Sequence, residues 1–189
     1  MTNLLIPEFD EETHIYKVDG KPAPGVTTVL RVCLGANAFW TEEGRENGWR
    51  VHLACRYAAE NDLDMDCMPE DIKPRLEAYL RFRIDMQWQP DIIEQPLYRR
   101  NPLYCGTPDQ AQTGRAVIDL KSGSHQPETA LQLAAYCFLL PNPHIHERWA
   151  VHLQESGKYS LRVFPKSELM SDWAVFQSMM NVYSWKERQ

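Results

Sequence analysis

Tyr104-Cys-Gly-Thr-Pro-Asp-Gln-Ala-Gln-Thr-Gly-Arg-Ala-Val-Ile-Asp-Leu-Lys121 is the stretch on which the reading of this chain turns. It reads as two short strands joined by a turn at Gly114, the second built on the apolar run Ala116-Val117-Ile118. The first strand ends on Asp109, and the second carries Asp119 and Lys121. Alternate residues of a strand share a face. Asp119 and Lys121 therefore project together, about 6.5 Å apart along the chain, while Leu120 points into the core. Antiparallel pairing brings Asp109 alongside Asp119. Two carboxylates and an ammonium on one face are the parts of a hard-cation site.

Working outward, residues 91–99 form a strand candidate, Ile92-Ile93-Glu94-Gln95-Pro96-Leu97-Tyr98, with Pro96 marking an edge or a bulge. Downstream, the loop Ser122-Gly123-Ser124-His125-Gln126-Pro127 leads to a helix from about Glu128 to Leu140. Its inward face is Leu131, Ala134, Ala135, Phe138 and Leu139, and Pro141-Asn142-Pro143 stops it. A hairpin over 148–153 and 159–164 turns at Glu155-Ser156-Gly157. A last helix starts near Pro165 and carries Leu169, Trp173, Phe176, Met180 and Tyr183.

Upstream, Pro69-Glu70-Asp71 opens a helix that runs to near Trp88, with Ile72, Leu76, Tyr79, Leu80 and Met86 as its stripe. Another helix spans about Arg45 to Glu60, where Val51, Ala54, Cys55 and Ala58 repeat at helical spacing and His52 sits at the edge of the stripe. Phe39 and Trp40 read as anchors before it. A β-hairpin covers Phe9 to Val26 around Asp19-Gly20, and a threonine of Val26-Thr27-Thr28 is placed to cap a short helix towards Arg31. The order is hairpin, helices, three strands, helix, hairpin, helix. It predicts one α/β domain over residues 1–189, a central mixed β-sheet flanked by helices.

The length of 189 residues suits one domain with a sizeable core. No run is long enough to cross a membrane, and the N-terminus lacks a basic segment followed by an apolar one, so a cytoplasmic protein with no membrane partner is expected. Five irregularly spaced cysteines without a C-x-x-C support neither a zinc ribbon nor a disulfide framework, and read as buried thiols. The net charge of −6 weighs against a nucleic-acid partner. The local field matters more than the sum, however, and Arg99, Arg100, Arg115 and Lys121 cluster around the opening stretch.

By itself an Asp-x-Lys triplet is weak, since a chain of this length holds about 0.7 by chance. Its weight comes from placement at the end of an apolar strand, where α/β sheets bind ligands. Gly106-Thr107-Pro108-Asp109 adds a carboxylate, with Gly106 permitting a close backbone approach. His52 adds an imidazole. Gln132 and Tyr136, four residues apart, add two polar tips on one helix face.

Together these elements resemble the PD-(D/E)XK nuclease superfamily, in its RecB-type and lambda-exonuclease-like branch of phages and prophages. The resemblance runs through Gly48-Trp49-Arg50-Val51-His52, Ile93-Glu94-Gln95-Pro96-Leu97, Gly106-Thr107-Pro108-Asp109, Ile118-Asp119-Leu120-Lys121-Ser122-Gly123 and Gln132-Leu133-Ala134-Ala135-Tyr136. It implies a restriction-endonuclease-like core. It also implies metal ligation by His52, Asp109, Asp119 and the carbonyl of Leu120, with Lys121 as the family lysine and Gln132 and Tyr136 as the helix pair. The chain departs from the pattern where many relatives read Arg-Gly-Thr before the histidine. The four-cysteine spacing of an iron–sulfur cluster is absent, so none is expected. Glu94 reads as an extra acid just outside the ligand set, as a direct ligand, or as an ordinary strand carboxylate near Arg99.

The activity implied is that of a Mg²⁺-dependent deoxyribonuclease, with Mn²⁺ as a substitute suited to the imidazole. The resemblance favours an exonuclease on linear DNA in phage recombination or repair, with DNA, further copies of the chain, and a single-strand annealing or other recombination protein as partners. Three other readings stay open. These are an endonuclease, a non-cutting module of the same fold that binds DNA or a protein, and a metal-dependent hydrolase of another substrate.

Overall fold

The computed structural model describes residues 4–35 and 42–189, so the expected anchors Phe39 and Trp40 lie outside the described residues. The N-terminal hairpin forms as expected. Asp19 and Gly20, at φ of 52° and 73°, close a tight turn between β2 (Ile15–Val18) and β3 (Lys21–Ala23). A further strand, β1 (Glu8–Asp10), pairs antiparallel with β2 and makes a three-stranded sheet.

Next come α1 (Val26–Leu34), α2 (Glu42–Glu60) and α3 (Lys73–Asp85). The expected threonine cap is not used. Gly25 is the cap residue of α1 without a side-chain bond, and Thr27 and Thr28 lie inside the helix. Nor does Pro69 open α3: the Ile72 N–H donates to the Pro69 carbonyl in a preceding turn, and a proline of the first helical turn, Pro74, sits where no amide hydrogen is needed.

The stretch 91–99 divides. Ile92–Ile93 (β4) and Leu97–Arg100 (β5) belong to different sheets, because Glu94 turns at φ 43° and Pro96 cannot donate to a ladder. The deciding stretch likewise holds three strands rather than two. Leu103–Gly106 (β6) pairs with β5, whereas Gln110–Gln112 (β7) and Ala116–Lys121 (β8) form the hairpin at Gly114, φ 83°. Asp109 thus precedes β7 instead of ending the strand before it.

After β8 come α4 (Thr129–Cys137), β9 (Glu147–Leu153), β10 (Tyr159–Phe164) and, past a short 3₁₀ turn, α5 (Leu169–Lys186). The central sheet runs β10-β9-β8-β7-β4, parallel between β8 and β9 and antiparallel elsewhere, so it is mixed. β8 lies in its middle with both faces covered, which explains why Ala116 to Leu120 are buried without alternation. On one face Val117 and Ala150 pack with α1, α4 and α5. On the other, Ile118, Leu120, Trp149 and Val151 pack with α2 and α3. The chain is thus α/β, a mixed sheet flanked by helices. Of the cysteines, Cys55, Cys105 and Cys137 are buried as expected, but Cys33 is only partly covered and Cys67 is exposed, so the expectation of buried thiols holds for three. No described helix is long and apolar enough to cross a membrane.

Candidate functional site

Asp109 owes its position to its neighbour. Gln110 is buried, and its Oε1 accepts from the Tyr79 hydroxyl and from Trp88 Nε1, both at 2.8 Å. This clamps the start of β7 to α3 and the segment after it. The register of Gln110 with Ile118 then sets Asp109 opposite Asp119. Asp109 Oδ2 accepts the Leu120 N–H at 2.6 Å. The Leu120 side chain is buried on the far face, as the alternation predicts.

Asp119 is 2% exposed, and Lys121 Nζ stands 2.6 Å from its Oδ2. Oδ2 is buried with that ammonium beside it. Lys121 Nζ donates to Gln132 Oε1 at 3.4 Å, and Gln132 Nε2 donates to the Tyr136 hydroxyl at 3.2 Å. His52, on α2, places Nδ1 3.4 Å from Asp109 Oδ1. Residues from β8, α2, α4 and the segment just before β7 therefore converge, and every side chain expected at the site stands in this chain of contacts.

The electrostatics follow. Burial raises the Asp119 pKa, Lys121 opposes that, and the Asp109 carboxylate adds to it. Burial also acts on Asp109, but His52 and the Leu120 amide outweigh it and hold Asp109 below the ordinary value. Burial disfavours the charged form of His52, yet Asp109 dominates and raises its pKa to about 9. Lys121 is likewise raised by Asp119 against its own burial. Burial pushes the Tyr136 hydroxyl well above its ordinary value. The site thus sets two bases with raised pKa values, His52 and Lys121, beside two acids, of which Asp119 has raised proton affinity.

Glu94 belongs to the border of this site and not to Arg99. Its N–H donates to the Asp109 carbonyl at 2.9 Å, and its carboxylate lies 3.5 Å from Arg56. Burial and the Asp109 charge raise its pKa. Among the described residues, no three His, Cys, Asp or Glu side chains form a group that could hold a metal ion. The donors nonetheless match a hard divalent cation in kind: Asp109 and Asp119 lie opposite one another in the strand register, and Asp119 Oδ2 is a buried carboxylate oxygen with only an ammonium beside it among the described contacts.

Three features go beyond the sequence reading. The close approach expected at Gly106 is made by the site tyrosine, a partner the sequence does not identify: a Cβ there would meet Tyr136 Cε1 at 2.9 Å. Tyr16 of the N-terminal sheet shares a hydrogen bond with Thr107, 2.9 Å away, and so docks the hairpin beside Asp109. The Gln110 clamp is the third, and its signal was a polar residue next to a site acid in a strand. The expected basic cluster, in contrast, dissolves. Arg99 donates to the Asn101 and Phe138 carbonyls, Arg100 pairs with Asp19, and Arg115 donates to the Met86 and Gln87 carbonyls. These three serve the fold, and Lys121 alone of the four is in the site.

No protein-family model matches the chain, and comparison with curated proteins finds no relative.

Proposed function

We propose that the chain is a metal-dependent deoxyribonuclease of the PD-(D/E)XK type, with a restriction-endonuclease-like core, acting as an exonuclease on linear DNA. The observation that carries this reading is the convergence of Asp109, Asp119 and Lys121 on adjacent strands with His52, Gln132 and Tyr136 from two separate helices. Six residues of the types that phosphodiester hydrolysis needs meet from β8, from the segment just before β7, and from α2 and α4.

Asp109, Asp119, the His52 imidazole and the Leu120 carbonyl would hold Mg²⁺ or Mn²⁺. When bound, the metal supplies Lewis-acid polarisation of the phosphate and a more acidic water. Lys121, anchored between Asp119 and Gln132, presents a fixed positive charge to the charge that develops on the phosphate. Gln132 holds that ammonium in place and is itself oriented by the Tyr136 hydroxyl. The Tyr136 phenol keeps its proton across neutral pH, so its hydroxyl remains a donor. Glu94, with its raised proton affinity, and Arg56 form one rim of the site.

The test is cleavage of linear and closed circular duplex with and without Mg²⁺. Loss of linear DNA only is expected; loss of both makes the chain an endonuclease. Asp119→Ala and Lys121→Ala should each remove at least about 99% of the Mg²⁺-dependent activity, the scale of a lost electrostatic contact in a transition state, with circular dichroism unchanged. Full activity in either folded variant sinks the assignment. A wild-type protein that binds Mn²⁺ in calorimetry and cuts no DNA is a hydrolase of another substrate. One that does neither is a non-cutting module.

A further inference from the structure

A polyanion needs a cationic approach, and the protein carries a net charge of −6 with the expected arginines used elsewhere. The strand register points to another source. Asp119 pairs with Ala150 and Ala150 with Arg162; Lys121 pairs with His152. Residues opposite one another across a ladder share a face. Arg162 therefore stands on the sheet face of Asp119, two strands away, about 10 Å at the usual strand spacing. Its guanidinium lies 4.7 Å above the Phe164 ring, which faces the same way, and the side chain is exposed. His152 lies between, its Nδ1 3.4 Å from the Gly123 carbonyl. The loop that leaves β8 sets the His125 ring 5.9 Å from that of His152. Burial lowers the His125 pKa, and the nearby Arg162 and Lys121 add to that while the Glu128 carboxylate opposes it.

The other flank carries exposed acids. Sheet order puts β7 there, and the N-terminal sheet docked on Thr107 turns through Asp10, Glu11 and Glu12, exposed acids of which Glu11 is felt by Arg56. β10 is the edge of the central sheet, so among the described residues no further strand of that sheet lies beyond Arg162.

We propose that Lys121, His125, His152 and Arg162 form a phosphate track that leads the DNA backbone to the site over β9 and β10. The inference rests on the nuclease reading and specifies which side the substrate takes. A track of about 10 Å covers on the order of three nucleotides at 3.4 Å rise per strand. Arg162 supplies the standing charge. The histidines, as imidazole N–H donors, bridge the interval to Lys121.

The experiment measures binding of a fluorescein-labelled 12-bp duplex by anisotropy over a salt series with Ca²⁺ present, beside Mn²⁺ calorimetry. It compares wild type with Arg162→Glu, Arg162→Lys and Arg81→Glu, the last an equal charge change on an exposed residue of α3, against the opposite face. Arg162→Glu should weaken binding about tenfold and lower the slope of log affinity against log salt by about one. Arg162→Lys should retain it, Arg81→Glu should stay within about twofold, and Mn²⁺ affinity should not move. Equal losses in the two glutamate variants, or none in Arg162→Glu, overturn the track while leaving the nuclease reading in place. A wild type that binds no duplex overturns both. Should Arg162→Glu not fold, the double variant His125→Ala/His152→Ala carries the test: weaker binding by several-fold supports the track, and unchanged binding overturns it.

Discussion

Asp119 sits almost wholly out of water, and a carboxylate there is costly unless a cation accompanies it. Lys121 is that cation and His52 performs the same service for Asp109. The proton on His52 has a measurable consequence. Its folded pKa, about 9, lies above the ordinary 6.5. The stability it contributes is therefore fully present below pH 6.5 and is lost as pH rises to 9. The urea midpoint of the wild type should fall across that window in metal-chelating buffer, and that of His52→Gln should fall less. A metal that uses His52 must displace the same proton, so Mn²⁺ affinity by calorimetry should tighten from pH 7 to pH 9 with proton release. Affinity flat in pH would remove His52 from the ligands.

Gly106 makes a second point at this scale. A methyl group there would press on Tyr136 Cε1, Leu139 Cδ1 and Val26 Cγ2, all at 2.9 to 3.0 Å. Gly106→Ala should cost about 1–3 kcal/mol in urea unfolding. It should also depress cleavage, because the displaced ring carries the hydroxyl that orients Gln132.

At the level of elements, β7 is a strand of three residues, too short to hold its own register. Gln110 holds it, by taking two buried donors from α3 and Trp88 onto one oxygen. Gln110→Leu keeps the size and removes the acceptor. Two stranded donors should lower stability by about 2–4 kcal/mol in urea unfolding. Loss of cleavage should be larger than in an equally destabilised variant remote from β7, since Asp109 moves with the strand. A stability loss below about 0.5 kcal/mol would mean that the clamp is idle.

Across the whole molecule, two apolar layers on either face of one sheet make the body of the protein, and Arg148 ties one of them together. It is 1% exposed, donates to the Ala130 and Pro165 carbonyls at 3.1 and 2.9 Å, and pairs with Asp172 of α5. Arg148→Ala strands Asp172 and two carbonyls. It should destabilise by about 3–5 kcal/mol in urea unfolding. Because α4 carries Gln132 and Tyr136, the site should loosen before the fold is lost, seen as activity that falls at a lower urea concentration than the circular dichroism signal.

The sequence by itself determined the α/β order of elements and the two strands of the Gly114 hairpin. It also determined that Asp119 and Lys121 share one face with Leu120 on the other. Each of these rests on local periodicity: two residues per strand repeat and 3.6 per helix turn, with glycine where φ is positive. Even the Gln132–Tyr136 pair followed from the four-residue spacing on a helix. Only the tertiary structure decided which strands share a sheet. Two single residues, Glu94 and Pro96, sent Leu97–Arg100 to a separate sheet, and no periodicity marks such a change. The uses of Arg99, Arg100 and Arg115 were equally hidden, because a cation's partner is set by what folds next to it. The same holds for the distance between His52 and Asp109, 57 residues apart in the chain and 3.4 Å apart in space. Long-range contacts arise from the packing of whole elements on the sheet, and spacing along the chain carries no record of them.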